Sequence, residues 1–284
     1  MKLERFELEN CFIEYKGSRY LSSVILLRKE KNILIDPGRK CFLKEKIDEI
    51  WLTHIHPDHF FYLKKFPNIP VYIHPEGIKI MKSEKPYKEV ILREIKEVDR
   101  ITKNIKGMRK IFIILSSRLF LILFGTPFYR KERFNNNFIP FKDGEERYGI
   151  RIYFTPGHSP DSVSFFLEKE RILISGDLIV KRKPFSLNAL LPLSNIEEGI
   201  KSLRFLKGLN PEIVLPGHGR PIMNGLKKIN EMIYLTEREI ECVKKKWHRN
   251  FYLTYFNIQR CLKNKSIMAR LSSIVFYSKF LYRR

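Results

Sequence analysis

The chain has 284 residues, with 54 Lys+Arg against 31 Asp+Glu and a formal charge of +23. At 44% hydrophobic and 30% charged residues, the composition is globular and excludes a wholly disordered chain, a collagen-like fibre and a polytopic membrane protein. One sizeable domain, or one plus a small appendage, fits the length. So large a positive charge either favours nucleic acid, anionic membrane or acidic substrates, or serves solubility.

The N-terminal stretch MKLERFELEN carries Glu4 and Glu7 where a signal peptide needs an apolar run, so the expected location is cytoplasmic. Cys11, Cys41, Cys242 and Cys261 form no CxxC pair; four reduced thiols are expected, with neither a disulfide scaffold nor a thiolate metal site.

Residues 1 to 36 read as strands. Phe6, Leu8 and Phe12 are interleaved with polar positions, and Val24 to Leu27 and Ile33 to Ile35 are short apolar runs, the last ending in the turn signal Asp36-Pro37-Gly38. Ile47 to Thr53 is strand-like and leads into THIHPDHF, a histidine-rich loop with a short helix expected after it. Pro70 to His74 reads as a strand, with Pro75 and Glu76 suited to a first helical turn.

Gly149 to Phe154, Val163 to Leu167 and Arg171 to Ser175 are three further strand-like runs. Ser194 or Asn195, followed by Glu197 and Glu198, predicts the start of a helix reaching about Lys207. Pro211 to Leu215 is one more strand, and from Gly225 to at least Lys246 the pattern is helical. Many short strands with helices between them predict an α/β sandwich with its chemistry on loops at one edge of the sheets.

Of seven histidines, three fall within six residues, in His54-Ile55-His56-Pro57-Asp58-His59. Alternating imidazoles and a carboxylate on a tight loop can face one cavity, and these are ligand types that Zn²⁺ prefers. Three later motifs add metal-capable residues beside turn-forming glycines: His158 in TPGHS, Asp177 after Gly176, and His218 in PGHG. His74 and His248 stand outside these motifs, and a structural role is expected for His74.

The order HxHxDH, GHS, GD, GHG over about residues 30 to 222 resembles the metallo-β-lactamase superfamily of hydrolases. The resemblance implies a four-layer αββα sandwich with two metals at the sheet edges. It assigns His54, His56 and His158 to the first metal, Asp58, His59 and His218 to the second, and Asp177 as the bridge. Asp36 matches the family's early strand-end aspartate, which supports the site without binding metal. The expected cofactor is two Zn²⁺, with iron or manganese as alternatives.

The expected chemistry is hydrolysis by a metal-bridging hydroxide, whose formation near neutral pH a bound cation permits. Asp58 is the candidate catalytic residue, orienting the nucleophile or protonating the leaving group. Phe60-Phe61-Tyr62 stands where hydroxyacylglutathione hydrolases carry two glycines, and the tRNA 3′-end-processing endonucleases also carry a glycine there. Asp177 to His218 is too short a separation for the cap of another nuclease group.

An ester, thioester or lactone of a small molecule, anionic or acyl, is the first-ranked substrate class. A phosphodiesterase or ribonuclease, and an iron-dependent persulfide oxidoreductase, are the alternatives. A binding module with a vestigial metal site is the competing class, against which the complete ligand set argues.

The domain reading is a catalytic unit over 1–225, with an insertion near 101–142, and a helical basic C-terminal appendage over 226–284. The apolar run 111–125 within the insertion is too short to span a membrane. It suits a buried helix, a lid or a dimer contact, or else an interfacial segment or apolar substrate wall. Residues 101–142 hold nine Lys+Arg and one acid, and 242–284 hold eleven and none, interleaved with aromatics. Such a tail packs its aromatics on the main domain, or contacts nucleic acid or an anionic membrane. The excess charge thus belongs to two attachments, while the motif-bearing core is nearly balanced.

Overall fold

The computed structural model describes residues 3–9, 11–18, 22–102, 133–180, 193–246 and 261. The apolar run 111–125, His248 and nearly all of the basic segment after residue 246 lie outside them.

The first sheet has seven strands in sequence order, β1 (Glu4–Leu8), β2 (Cys11–Lys16), β3 (Val24–Arg28), β4 (Asn32–Ile35), β5 (Glu49–Trp51), β6 (Val71–Ile73) and β7 (Phe138–Pro140). β1 to β4 form an antiparallel meander, and β4 to β7 run parallel. The second sheet holds β8 (Glu146–Arg147), β9 (Ile150–Phe154), β10 (Val163–Leu167), β11 (Ile172–Gly176) and β12 (Ile213–Pro216), in the order β12-β11-β10-β9-β8.

Five α-helices, α1 (Pro57–Phe60), α2 (Pro75–Met81), α3 (Pro86–Thr102), α4 (Ile196–Gly208) and α5 (Gly225–Lys246), and a short 3-10 helix (Leu63–Lys65) complete the described fold. The interleaved run read around Phe6 to Phe12 divides into two strands, β1 and β2, paired from Glu4↔Tyr15 to Leu8↔Cys11. β7 falls within the segment assigned to the insertion. It extends the sheet beyond β6, and Phe138 and Phe141 are buried beside it.

Alternation along each strand sorts side chains into three cores, which gives the four layers. In β3, Ile25 and Leu27 face the second sheet, while Val24 and Leu26 join Tyr87 and Val90 of α3 in a separate cluster. In β10, Val163, Phe165 and Leu167 face the first sheet; Phe166 points the other way, into a cluster with Leu203 and Leu206 of α4 and Ile229 and Met232 of α5. With both faces covered, β3 reads as an unbroken apolar run from Val24 to Leu27, and β10 is broken only by the buried Ser164. Trp51 anchors the inter-sheet core against Phe141 and Phe165, with ring centroids 5.4 and 5.1 Å away.

The expectation of four reduced thiols is corrected. Cys242, near the end of α5, is disulfide-bonded to Cys261, with Cα atoms 5.8 Å apart across 19 residues of sequence. Cys261 packs on the cluster beneath α4 and α5, and that tertiary placement has no signature in cysteine spacing. Cys11 and Cys41 are free and buried. Among the described residues no helix is long and apolar enough to cross a membrane.

Candidate metal centre

β4 and β5 are parallel, as are β11 and β12, so the loops after them open at C-terminal strand ends. The loops join across the sheets: Val163 N–H donates to the Thr53 carbonyl (2.7 Å), Ser23 N–H to the Gly217 carbonyl (2.7 Å) and Gly217 N–H to the Gly176 carbonyl (2.7 Å). The first two of these bonds bring segments more than a hundred residues apart into one constellation, and the third ties the loop after β12 to the end of β11.

All seven residues singled out in the sequence lie together. His56 Nδ1 and His158 Nε2 are 3.0 Å apart, and the His54 ring lies 4.6 and 5.0 Å from theirs. On the other side, His218 Nε2 is 3.3 Å from Asp58 Oδ2, and His59 Nε2 is 3.8 Å from the same oxygen. Asp177 stands between the two halves, 3.6 Å from His158, 3.5 Å from His59 and 3.3 Å from His218.

Among the described residues three sets bring their ligand atoms within 4.8 Å of one another: His54, His56 and His158; His54, His59 and Asp177; and Asp58, His59 and His218. His54 Nε2 and His59 Nε2 are buried and have no hydrogen-bond partner, although buried ring nitrogens are ordinarily paired. Orphaned nitrogens converging with carboxylates suit a divalent cation, and a nitrogen and oxygen donor set suits zinc, iron or manganese.

Local structure aims each group. His56 is the N-cap of α1 and Pro57 its first residue, a position where proline loses no helical hydrogen bond; Asp58 and His59 therefore leave from one helical turn. Asp36 sits just past β4 with φ 51°, a left-handed conformation that aspartate tolerates better than most side chains. From there Oδ1 accepts from Thr53 N–H (2.9 Å), while Oδ2 accepts from the Thr53 hydroxyl (2.7 Å) and lies 2.8 Å from His59 Nδ1. At Gly217 a Cβ would overlap Asp177 Oδ1, so glycine is required where the His218 turn passes that carboxylate.

The charges are mutually dependent. Burial, reinforced by the His59, His56 and His158 rings, drives His54 well below the usual histidine range. Burial opposes charge on His218 and His59 also, but the neighbouring carboxylates win, raising His218 to about 9 and His59 well above its ordinary value. Burial would raise Asp58, yet His59 and His218 hold it at about 2; Asp177 is likewise held low by His218 and His59.

His74 lies outside the centre, as expected, and caps α2, its Nδ1 accepting from Glu76 N–H at 3.2 Å. Several site contacts escaped the sequence reading. Asp161 Oδ2 accepts from Ile55 N–H (2.9 Å), and Glu94 Oε1 lies 3.4 Å from His56 Nε2. The Tyr15 hydroxyl donates to the carbonyls flanking His218, those of Pro216 (2.9 Å) and Gly219 (3.2 Å). Asp161 was visible within TPGHSPD as one more polar turn residue; nothing local marks Glu94 or Tyr15.

An αββα sandwich carrying imidazole and carboxylate clusters at one edge defines a metal-dependent hydrolase class. The chain belongs to the metallo-beta-lactamase superfamily, whose family model matches residues 17–218. Over 111 residues it is 32% identical to an atrochrysone carboxyl ACP thioesterase of Aspergillus fumigatus, a match covering 39% of this chain and 31% of that protein. The chain thus spans about a third of this relative's length. Over 228 residues it is 27% identical to a probable metallo-hydrolase of Methanocaldococcus jannaschii, covering 73% of this chain and 92% of the relative. The structure of a metallo-beta-lactamase family protein from Thermus thermophilus matches with a TM-score of 0.60 at 16% identity, over 99% of this chain and 93% of that one. That likeness concerns the fold alone.

Proposed function

We propose that the chain is a hydrolase of thioesters or related acyl esters, working with two divalent cations, zinc first among them. The convergence of six ligand-capable side chains around Asp177 carries this reading. His54, His56 and His158 would hold one cation, Asp58, His59 and His218 the other, with Asp177 shared. Bound there, the cations supply Lewis acidity, which makes water a nucleophile near neutral pH and polarises the carbonyl under attack.

The protein's own groups supply orientation and charge. The Asp58 side chain, 23% exposed, is more open than those of Asp177 (8%) and His218 (7%), so it faces an approaching substrate. Held at about 2, it is a carboxylate throughout the neutral range and serves as an acceptor that orients water rather than as a proton donor. A thiolate, whose conjugate acid has a pKa of about 8.5, departs without a general acid more readily than an alkoxide. The thioesterase among the relatives supports the same substrate class.

The test is a comparison of metal-loaded protein on acyl-pantetheine thioesters, carboxylic esters, lactones and bis(p-nitrophenyl) phosphate. Thioester turnover that disappears on metal removal is expected. Faster turnover of the phosphodiester would overturn the acyl reading, and equal rates with and without metal would overturn the metal-dependent one. The cytoplasm remains the proposed location. Most cysteine pairs in that compartment are reduced, so the Cys242–Cys261 bond runs against that location; recovery of the chain in the cytosolic fraction of lysed cells checks it.

A further inference from the structure

Along α3, Tyr87, Val90, Ile91, Glu94 and Glu97 are buried. Positions 87, 90, 91 and 94 follow the i, i+3, i+4, i+7 spacing of a core-facing stripe, so Glu94 stands where an apolar residue is expected. A carboxylate there is costly unless its oxygens are bonded. Glu97 pairs with Arg100, one turn on within the same helix (2.6 and 2.7 Å). Glu94 instead reaches outward from α3 with both oxygens: Oε1 lies 3.4 Å from His56 Nε2, and Oε2 accepts from Leu193 N–H at 2.8 Å.

The neighbouring residue strengthens the contact. Arg93 lies 3.5 Å from Asp161, whose other oxygen holds Ile55 N–H. Two successive side chains of α3 thus act on the HxHxDH loop, Glu94 directly at its second histidine and Arg93 through Asp161 at Ile55.

We propose that Glu94 is a positioning residue for the metal centre. Accepting from His56, it keeps the ring proton on Nε2 and leaves Nδ1, which faces His158 at 3.0 Å, as the ligand atom. Through Leu193 it ties that alignment to the chain that follows residue 192. Both of its partners donate, so a carboxylate is needed; an amide would turn a donor toward one of them. A partner on the distal imidazole nitrogen sets which nitrogen ligates and how the ring is oriented. The inference rests on the two-cation reading.

The test is zinc affinity, measured by competition with a chromophoric chelator, for the full chain and for Glu94→Gln. One of the two zinc ions is expected to bind about 10- to 100-fold more weakly in the variant, with the other unchanged and the visible spectrum of cobalt-substituted protein shifted. Val90→Ala, on the same stripe, is expected to lower the melting temperature and keep both affinities. Undiminished binding of both ions by Glu94→Gln overturns the proposal, whereas a wild-type chain that takes up no zinc overturns the two-cation reading along with it. If Glu94→Gln does not fold, ¹⁵N NMR of the zinc-loaded wild type decides: a proton on His56 Nε2 is expected, and one on Nδ1 overturns the proposal.

Discussion

Asp36 holds His59 by its Nδ1 nitrogen at 2.8 Å, which turns the opposite nitrogen toward Asp177 and Asp58 at 3.5 and 3.8 Å. Replacing the carboxylate by an amide turns a donor either against Thr53 N–H or against the Thr53 hydroxyl and the His59 ring, on residues that are both buried. Asp36→Asn is therefore expected to cost about 1–3 kcal/mol of stability and to weaken metal uptake about 10- to 100-fold. Urea unfolding and metal titration of the same preparation check both effects.

Asp177 is the group common to both halves of the centre. Purified protein is expected to contain close to two metal equivalents, and Asp177→Ala to lose metal and activity together while remaining folded. Metal analysis beside circular dichroism reads this directly; full activity in metal-stripped protein would refute it.

Gly217→Ala should damage the same place without removing any ligand, because its Cβ would overlap Asp177 Oδ1 and press on the Gly176 backbone. Either the carboxylate or the His218 turn must move. Loss of metal affinity and of stability is expected together, beyond the roughly 0.5 kcal/mol scatter of ordinary surface substitutions.

Metal uptake should depend on pH with a definite sign. In the metal-free chain His218 is raised to about 9 and His59 is raised well above its ordinary value by Asp36, Asp58 and Asp177, so at neutral pH both rings carry a proton that a ligating nitrogen must lose. Affinity is expected to rise with pH up to about 9, by as much as about tenfold per pH unit for each proton released. Calorimetry in buffers of different ionisation enthalpy counts those protons, and uptake without proton release would contradict the charge arrangement.

The bond between Cys242 and Cys261 predicts two free thiols per denatured chain, those of Cys11 and Cys41. By the loop-entropy relation, closing a loop of this length is worth roughly 3 kcal/mol. Reduction, or Cys261→Ser, should lower stability toward denaturant by up to that amount. Thiol titration and paired unfolding curves check the two statements.

The histidines and aspartates that cluster at the sheet edge were legible in the chain alone. HxHxDH, GHS, GD and GHG each lie at a strand end where glycine or proline sets the turn, and such local chemistry can be read without knowing what lies opposite. Most strands were legible for a similar reason, because apolar runs and their alternation depend on near neighbours; α4 began as predicted, with Asn195 accepting from Glu197 and Glu198 N–H.

What surrounds those side chains was settled only by packing. Glu94 and His56 are 38 positions apart, Ile55 and Asp161 are 106, and Tyr15 and Gly219 are 204. A hydrogen bond across such distances leaves no period or spacing in the chain, since its geometry exists only once two sheets and a helix have packed. The same holds for Cys242 with Cys261, and for β7, whose place in the first sheet follows from pairing with β6 rather than from any pattern of its own.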